Sequence, residues 1–198
     1  MAVVSVPREN RRLELADEIR DFLGPYGICY EQWELTARVD PSASSEEILA
    51  AYAPEIERLK LAGGYVTADV IDVTPETPGL GAMIAKFNKE HRHTEDEVRF
   101  IVKGRGVFHI HADDDRVFSI QLDAGDWINV PRGTRHWFDL CEDHTIRAIR
   151  LFQDTSGWTP HYVEQGVHAD YIPVCWGAAF VDAEFVEVAA PRVRPIAL

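Results

Sequence analysis

The segment HRHTEDEVRF, residues 91–100, gathers side chains able to bind a cation. His91, His93, Glu97 and Arg99 all fall on odd positions, and alternate residues of an extended strand share one face. A His-x-His pair on a strand aims two imidazoles at one point, and Glu97 adds a carboxylate if the strand continues or bends slightly. Arg92, Thr94, Asp96 and Val98 would then face outward. A second segment, PRGTRHWF at residues 131–138, holds His136, a third imidazole that a neighbouring strand could bring to the same point. Three neutral nitrogens and one anionic oxygen suit a borderline divalent metal such as iron, nickel, manganese, cobalt or zinc. Magnesium and calcium prefer all-oxygen shells. Four protein ligands on an octahedral ion leave two positions for a bidentate oxygen ligand, which closed structural zinc sites do not. Arg99, on the face of Glu97, would set a permanently charged fork beside an anionic ligand. Phe138 shares the parity of His136 and can face the same cavity.

These residues need short strands to carry them, and the chain supplies such strands from residue 65 onward. VTADVIDV, LGAMIAKF, EVRFIVKG, GVFHIHA, RVFSIQL, DWINVP, HWFDL and IRAIRLF are short and rich in apolar residues, most of them in β-branched and aromatic ones. Turn signals separate them, among them Thr77-Pro78-Gly79, Asp113-Asp114-Asp115 and Ala124-Gly125-Asp126. Gly104 is read as a hairpin turn after Glu97, with return strands that bring in His136. Many short strands at this spacing predict an all-β sandwich or barrel.

The first third reads as helical. Residues 12–23 place Leu13, Leu15, Ile19 and Phe22 on roughly one face, and Gly24-Pro25 ends the segment. Residues 44–61 open with Ser44 and Glu47 in capping-box spacing, and Pro54 predicts a kink or two short helices. Turns or short helices are expected near Thr159–Tyr171 and Gly177–Phe185, followed by an extended tail around Pro191 and Pro195. The expected layout is one domain. It has a helical N-terminal segment (1–64), a β-barrel core (65–155) and a C-terminal segment (156–198).

The 198 residues are 46% hydrophobic and 27% charged, an ordinary globular composition. With 33 acidic against 20 basic side chains the net charge is −13, which argues against nucleic acid and anionic membranes as partners. Cys29, Cys141 and Cys175 are odd in number and widely spaced, so no disulfide framework is expected and a reducing compartment fits. Cys141 and Cys175 are read as small buried hydrophobes. The N-terminus lacks an apolar stretch of signal-peptide length, and no run approaches the ~18 residues of a membrane-spanning helix. A soluble cytoplasmic protein is expected.

The spacing goes further than chemistry alone requires. His-x-His, three residues, Glu97, six residues, Gly104, then Gly125, five residues, Pro131-x-Gly133, two residues, His136 resembles the two motifs of the cupin superfamily, a jelly-roll β-barrel fold. Ala85 and Leu140 stand where those motifs usually carry Gly and Asn, and neither removes a ligand. FNKEHRHTEDEVRFIVKGRGVFHI, PRGTRHWFDL and AIRLFQDTSGW together resemble the acireductone dioxygenase family over roughly residues 80–160. The resemblance implies a mainly β cupin barrel with N-terminal helices packed outside it. It implies His91, His93, Glu97 and His136 as ligands of one Fe2+ or Ni2+. Arg99 and Arg150 would be basic residues at the substrate, and Phe138 and Trp158 aromatics closing over it. The implied reaction is oxidative cleavage of 1,2-dihydroxy-3-keto-5-methylthiopentene by O2 in methionine salvage. The enediolate itself reduces oxygen, so the metal need not change oxidation state. Iron would yield 4-methylthio-2-oxobutanoate and formate, and nickel 3-methylthiopropionate, formate and carbon monoxide. A monomer is implied.

Two other readings stand beside this one: a different metal-dependent cupin dioxygenase or isomerase, and a cupin binding module without catalysis. The EVRF and RxFxxxxGW pair weighs against the first, and the absence of a basic helix-turn-helix candidate weighs against a DNA-linked sensor. His109 and His111 form a second His-x-His but lack a following Glu at the right spacing. With His144, His161 and His168 they are taken as structural or solvent-facing. Glu95 and Asp96 are taken as a solvated charge run. Arg99 and Trp158 also admit purely structural roles.

Overall fold

A computed structural model of the chain describes residues 1–35, 38–155, 157–171 and 175. Its strands form two antiparallel sheets that share their longest member and enclose the principal core. Four strands and helices of the N-terminal third precede two outer helices: β1 (Val3–Val6), β2 (Arg11–Leu13), α1 (Ala16–Leu23) and β3 (Cys29–Gln32), then α2 (Ser45–Ala51) and α3 (Ala53–Gly63). After β4 (Thr67–Val73) and α4 (Leu80–Phe87) come β5 (His91–Arg92) and the long β6 (Glu97–His111). Then follow β7 (Val117–Asp123), β8 (Asp126–Val130), β9 (Arg135–Leu140), β10 (Ile146–Phe152) and β11 (His161–Tyr162). One sheet runs β11-β5-β9-β6-β7-β1-β2 and the other β4-β10-β6-β8-β3.

The 15-residue β6 belongs to both sheets because it changes partners along its length. Glu97–Phe100 pair with β8, and residues up to Gly104 pair with β10. From Arg105 onward the partners are β7 and β9. The expected hairpin at Gly104 is therefore absent. Gly104 lies within the strand at φ 74°, and a Cβ there would fall 2.0 Å from the Thr145 carbonyl oxygen. The sheet can bend at this point only without a side chain. The pairing of β6 with β10 also loses register between Arg147 and Ala148, so β6 holds one extra residue there. Such a bulge reverses which parity faces the core. Before it Ile101 points inward and Val98, Phe100 and Val102 outward; after it Phe108 and Ile110 point inward and Val107 outward.

The helices pack outside as expected. Ile48 of α2, Ile56 and Leu59 of α3 and Tyr52 between the two helices cover Val98, Phe100, Ile149 and Leu151. The capping box forms, with Glu47 N donating to Ser44 Oγ at 3.2 Å and Ser44 N to Glu47 Oε2 at 2.8 Å. Pro54 sits in the first turn of α3, where its missing N–H costs nothing, so the stretch divides into two helices.

Three expectations are corrected. The 1–64 segment is not purely helical, since β1, β2 and β3 extend the sheets; Leu13 lies in β2, and Leu15 is 62% exposed. LGAMIAKF is a helix: Leu80, Met83, Ile84 and Phe87 follow i, i+3, i+4, i+7 and pack on the main core. Cys141 and Cys175 are joined in a disulfide with Cα atoms 5.4 Å apart, buried beside Val107, which removes the cysteine argument for a reducing compartment. Two distant thiols in sequence say nothing of proximity, so spacing could not reveal the pair. The Thr159–Tyr171 stretch holds β11 and a single 3-10 turn at His168–Asp170. The expected helix near 177–185 and the tail around Pro191 lie outside the described residues. No helix among the described residues is long and apolar enough to cross a membrane.

Candidate metal centre

His91, His93, Glu97 and His136 meet inside the barrel, all buried, with one donor atom of each lying within 4.8 Å of the others. Two short pairings create the cluster. His91 of β5 sits directly opposite His136 of β9, and Ile110 of β6 opposite the same His136. The chain then bends at residues 94–95, which lets Glu97 enter β6 facing the two imidazoles it follows. The parity reading of this segment holds for the ligands because of that bend, not because one strand runs through it. Val98 does face the opposite side, but it is buried under the helices.

The outward nitrogen of each ring is occupied. Nδ1 of His91, His93 and His136 lies 2.6, 2.9 and 2.9 Å from the carbonyl oxygens of Lys89, Thr159 and Thr134. A carbonyl accepts only, so each Nδ1 carries the proton and each Nε2 turns an unprotonated lone pair inward. Those lone pairs face one another: Nε2 of His91 and His93 are 3.2 Å apart, and Glu97 Oε2 lies 3.2 Å from His93 Nε2 and 3.0 Å from His136 Nε2. Burial, and next the neighbouring His136, push His91 down to about 3, which keeps it neutral. Four acceptors around a buried point repel one another unless a cation lies between them. Ligand bonds of about 2.0–2.2 Å at right angles put neighbouring donors about 3 Å apart, close to the separations found. The residues present therefore fit a divalent metal with mixed nitrogen and oxygen ligation.

Arg99 controls the other oxygen of Glu97. Its Nε and Nη2 donate to Oε1 at 2.8 and 2.7 Å, leaving Oε2 to the imidazoles. Burial acts to raise the Glu97 carboxyl, but the Arg99 guanidinium outweighs it and holds the group well below the usual carboxylate range. Burial lowers the Arg99 guanidinium, and Glu97 opposes that shift. The guanidinium lies 4.2 Å from the centroid of Phe138 and 5.4 Å from those of Phe108 and Trp158. This aromatic box fixes a cation by packing and by attraction to the ring faces. Trp158 stacks near His93 at 6.2 Å, and its Nε1–H donates to the Asp96 carbonyl at 3.1 Å.

Arg150 joins the same wall, directly across from Arg99 in the β10–β6 pairing. Its fork is held by Asp69 of β4, with Nε to Oδ1 at 2.8 Å and Nη2 to Oδ2 at 2.6 Å. The two arginines line a small chamber of about 40 Å³ whose remaining wall is Ile71, Val73, Met83, Phe87 and Leu140, among others. A wider opening of about 560 Å³, bordered by Asp69, Lys86, Arg150 and Trp158, shares Ile71, Met83 and Phe87 with it. Arg99, Phe138 and Arg150 thus line the small chamber and Arg150 and Trp158 the opening, while the His91, His93, Glu97 and His136 cluster adjoins the chamber through the bonds between Glu97 and Arg99.

The sequence reading missed several contributors. Asp69 was one of two charges, with Asp72, in an otherwise largely apolar strand, and that mismatch was the available signal. Phe87, whose ring is 5.9 Å from His91, belonged to a segment assigned to a strand. The Thr159 carbonyl has no side-chain signature at all. Glu95 and Asp96 are not a solvated run: Glu95 Oε2 accepts from Gln153 N and Asp154 N, and Asp96 Oδ1 accepts from Arg132 N, stapling three loops at the cavity rim.

The comparisons with known proteins agree with this geometry. Residues 8–160 match the ARD/ARD′ family. An acireductone dioxygenase of a Picosynechococcus species is 46% identical over 77% of this chain and 87% of its own length. One from Stutzerimonas stutzeri is 43% identical over 87% of this chain and 98% of its own. Among solved structures, an acireductone dioxygenase from Bacillus anthracis with a cadmium ion in its active centre superposes with a TM-score of 0.77 at 38% identity, covering 82% of this chain and 98% of that one. On these grounds the chain belongs to the ARD/ARD′ family.

Proposed function

We propose that the chain is an acireductone dioxygenase, cleaving 1,2-dihydroxy-3-keto-5-methylthiopentene with O2, and that His91, His93, Glu97 and His136 hold one Fe2+ or Ni2+. The observation that carries this reading is the buried cluster of three imidazole nitrogens and one carboxylate oxygen beside a cationic, otherwise apolar cavity. When bound, the metal supplies Lewis acidity toward an oxygen-rich substrate dianion. The chain supplies the rest. Arg99 sets a fixed positive charge beside the dianion, preorganised by Glu97 and the aromatic box. Arg150, locked by Asp69, extends that charge toward the opening. Ile71, Met83 and Phe87 offer an apolar wall to the methylthioalkyl tail, and Phe138 and Trp158 exclude water from the reacting carbons. The whole chain is taken as one cupin domain acting as a cytoplasmic monomer. Iron would direct the products to 4-methylthio-2-oxobutanoate and formate, and nickel to 3-methylthiopropionate, formate and carbon monoxide.

The test is anaerobic loading of metal-free protein with iron or nickel, followed by acireductone decay and product analysis. Decay with metal-specific products supports the reading. Metal uptake without decay would assign the chain to another metal-dependent cupin reaction. No uptake would leave a binding module.

A further inference from the structure

Two glycines stand two residues apart in β6, and only one of them serves the backbone. Gly104 has the positive φ that bends the sheet, whereas Gly106 keeps an ordinary strand conformation. Any residue could adopt that backbone, and glycine weakens a strand interior. A buried glycine here therefore points to the space it leaves. That space is taken. A Cβ at residue 106 would fall 2.3 Å from Cζ and 2.8 Å from Cε2 of Phe138, and 3.3 Å from Cδ1 of Ile146.

The pairing of β6 with β9 shows which way the ring leans. Ile110 lies opposite His136, Phe108 opposite Phe138 and Gly106 opposite Leu140. The tip of the Phe138 ring thus reaches one step along the sheet, away from His136 and over Gly106. There the ring meets Phe108 edge-on at 4.9 Å and lies 4.2 Å from the Arg99 guanidinium. With Leu140 and Ile146 it forms part of the wall of the small chamber. Carbon atoms in contact sit about 3.5–4.0 Å apart, so a methyl group at residue 106 would push the ring off β6 by more than about 1 Å. The ring faces the chamber, and that chamber has only about 40 Å³ to give.

We propose that Gly106 is a positioning residue that sets substrate specificity. By leaving its side-chain space to the Phe138 ring, it keeps the chamber deep enough for a methylthioethyl tail, and the ring so placed bounds the chamber against longer tails. Gly106 takes no part in the chemistry. The inference rests on the dioxygenase reading above.

The test measures kcat/KM of the nickel-loaded full-length chain for three acireductones, with methyl, methylthioethyl and hexyl tails. Gly106→Ala should lower the value for the methylthioethyl substrate by about 10–200-fold, the range over which an apolar pocket discriminates a small change in fit. The methyl-tailed substrate should stay near the parent value. Phe138→Leu removes the ring atoms that a methyl at residue 106 would meet. It should raise the ratio of hexyl to methylthioethyl turnover. In its background Gly106→Ala should no longer depress the methylthioethyl substrate selectively, the non-additivity expected of two side chains that compete for one space. Should Gly106→Ala fail to fold alone, the hexyl shift in Phe138→Leu and the tail-independent behaviour of the double variant carry the test. Equal loss on methyl and methylthioethyl tails in Gly106→Ala would overturn the proposal, because a merely structural role acts on both alike. So would parent-like values for both, or an unmoved hexyl ratio in Phe138→Leu. A nickel-loaded parent that turns over none of the three would overturn the dioxygenase reading, and this inference with it.

Discussion

The two His-x-His pairs of this chain end on opposite faces of one barrel. His91 and His93 turn inward with His136 and Glu97, and their Nδ1 atoms are tied to main-chain carbonyls. His109 and His111 stand on the outer face of β6. His109 stacks on Trp137 at 4.9 Å, and His111 pairs with Glu90. All four residues share odd parity with Glu97 and Arg99. In a regular β6 the second pair would join the first inside the barrel, and the bulge before Gly104 prevents it. The spacing of a motif thus defines a pair of side chains, while the irregularities between motifs decide what they face. What suits the inner pair to a metal is the set of partners that leave its Nε2 lone pairs free.

The most severe way to break the contrast is to remove an inner imidazole. His91→Ala or His136→Ala should lose metal and acireductone turnover together. The loss should exceed the roughly 10–100-fold that an outer partner costs, as metal analysis alongside the decay assay would show. Arg99→Ala should retain metal while turnover falls about 100–1,000-fold, the usual cost of removing a preorganised charge. Normal turnover in that variant would refute the role given to Arg99.

Effects on the outer face should appear in stability instead. Replacing both Cys141 and Cys175 with Ser removes the buried cross-link between the end of β9 and residue 175 and should cost roughly 2–4 kcal/mol in thermal or denaturant unfolding. Metal content should stay at the parent level. Asp139 lies beside His109, with Oδ2 3.8 Å from Nδ1, and burial pushes it up to about 7. An acid raised in the folded state binds its proton more tightly there than when unfolded. Its contribution to stability therefore falls as pH rises from about 4 to about 7, and is level beyond. Asp139→Asn should gain on the parent through that window by roughly a few degrees in melting temperature. A pH-independent difference would contradict the assignment.

Much of the site was legible because its chemistry is local. His91, His93 and Glu97 lie within seven residues, and the Pro-x-Gly turn sets His136 at a strand start. The barrel was legible from the short strands and their turns. What escaped reading depends on tertiary partners. Residues 80–87 satisfy a helical period that their apolar composition hid. The N-terminal strands are only three or four residues long, and β1 and β3 exist because β7 and β8 offer them edges, with β2 pairing on β1 in turn. Gly104 looks the same in sequence whether it closes a hairpin or bends a strand. Asp69, Glu90 and the Cys141–Cys175 pair are defined by partners between 21 and 81 positions away, so no local pattern marks them.

The central claim is that the inner quartet, and not the outer pair, holds the metal. Equilibrium dialysis against Co2+ would compare the parent, His136→Ala and His109→Ala. The account predicts one ion per chain in the parent and in His109→Ala, and none in His136→Ala. Retention by His136→Ala, or loss by His109→Ala with its fold intact, would contradict it.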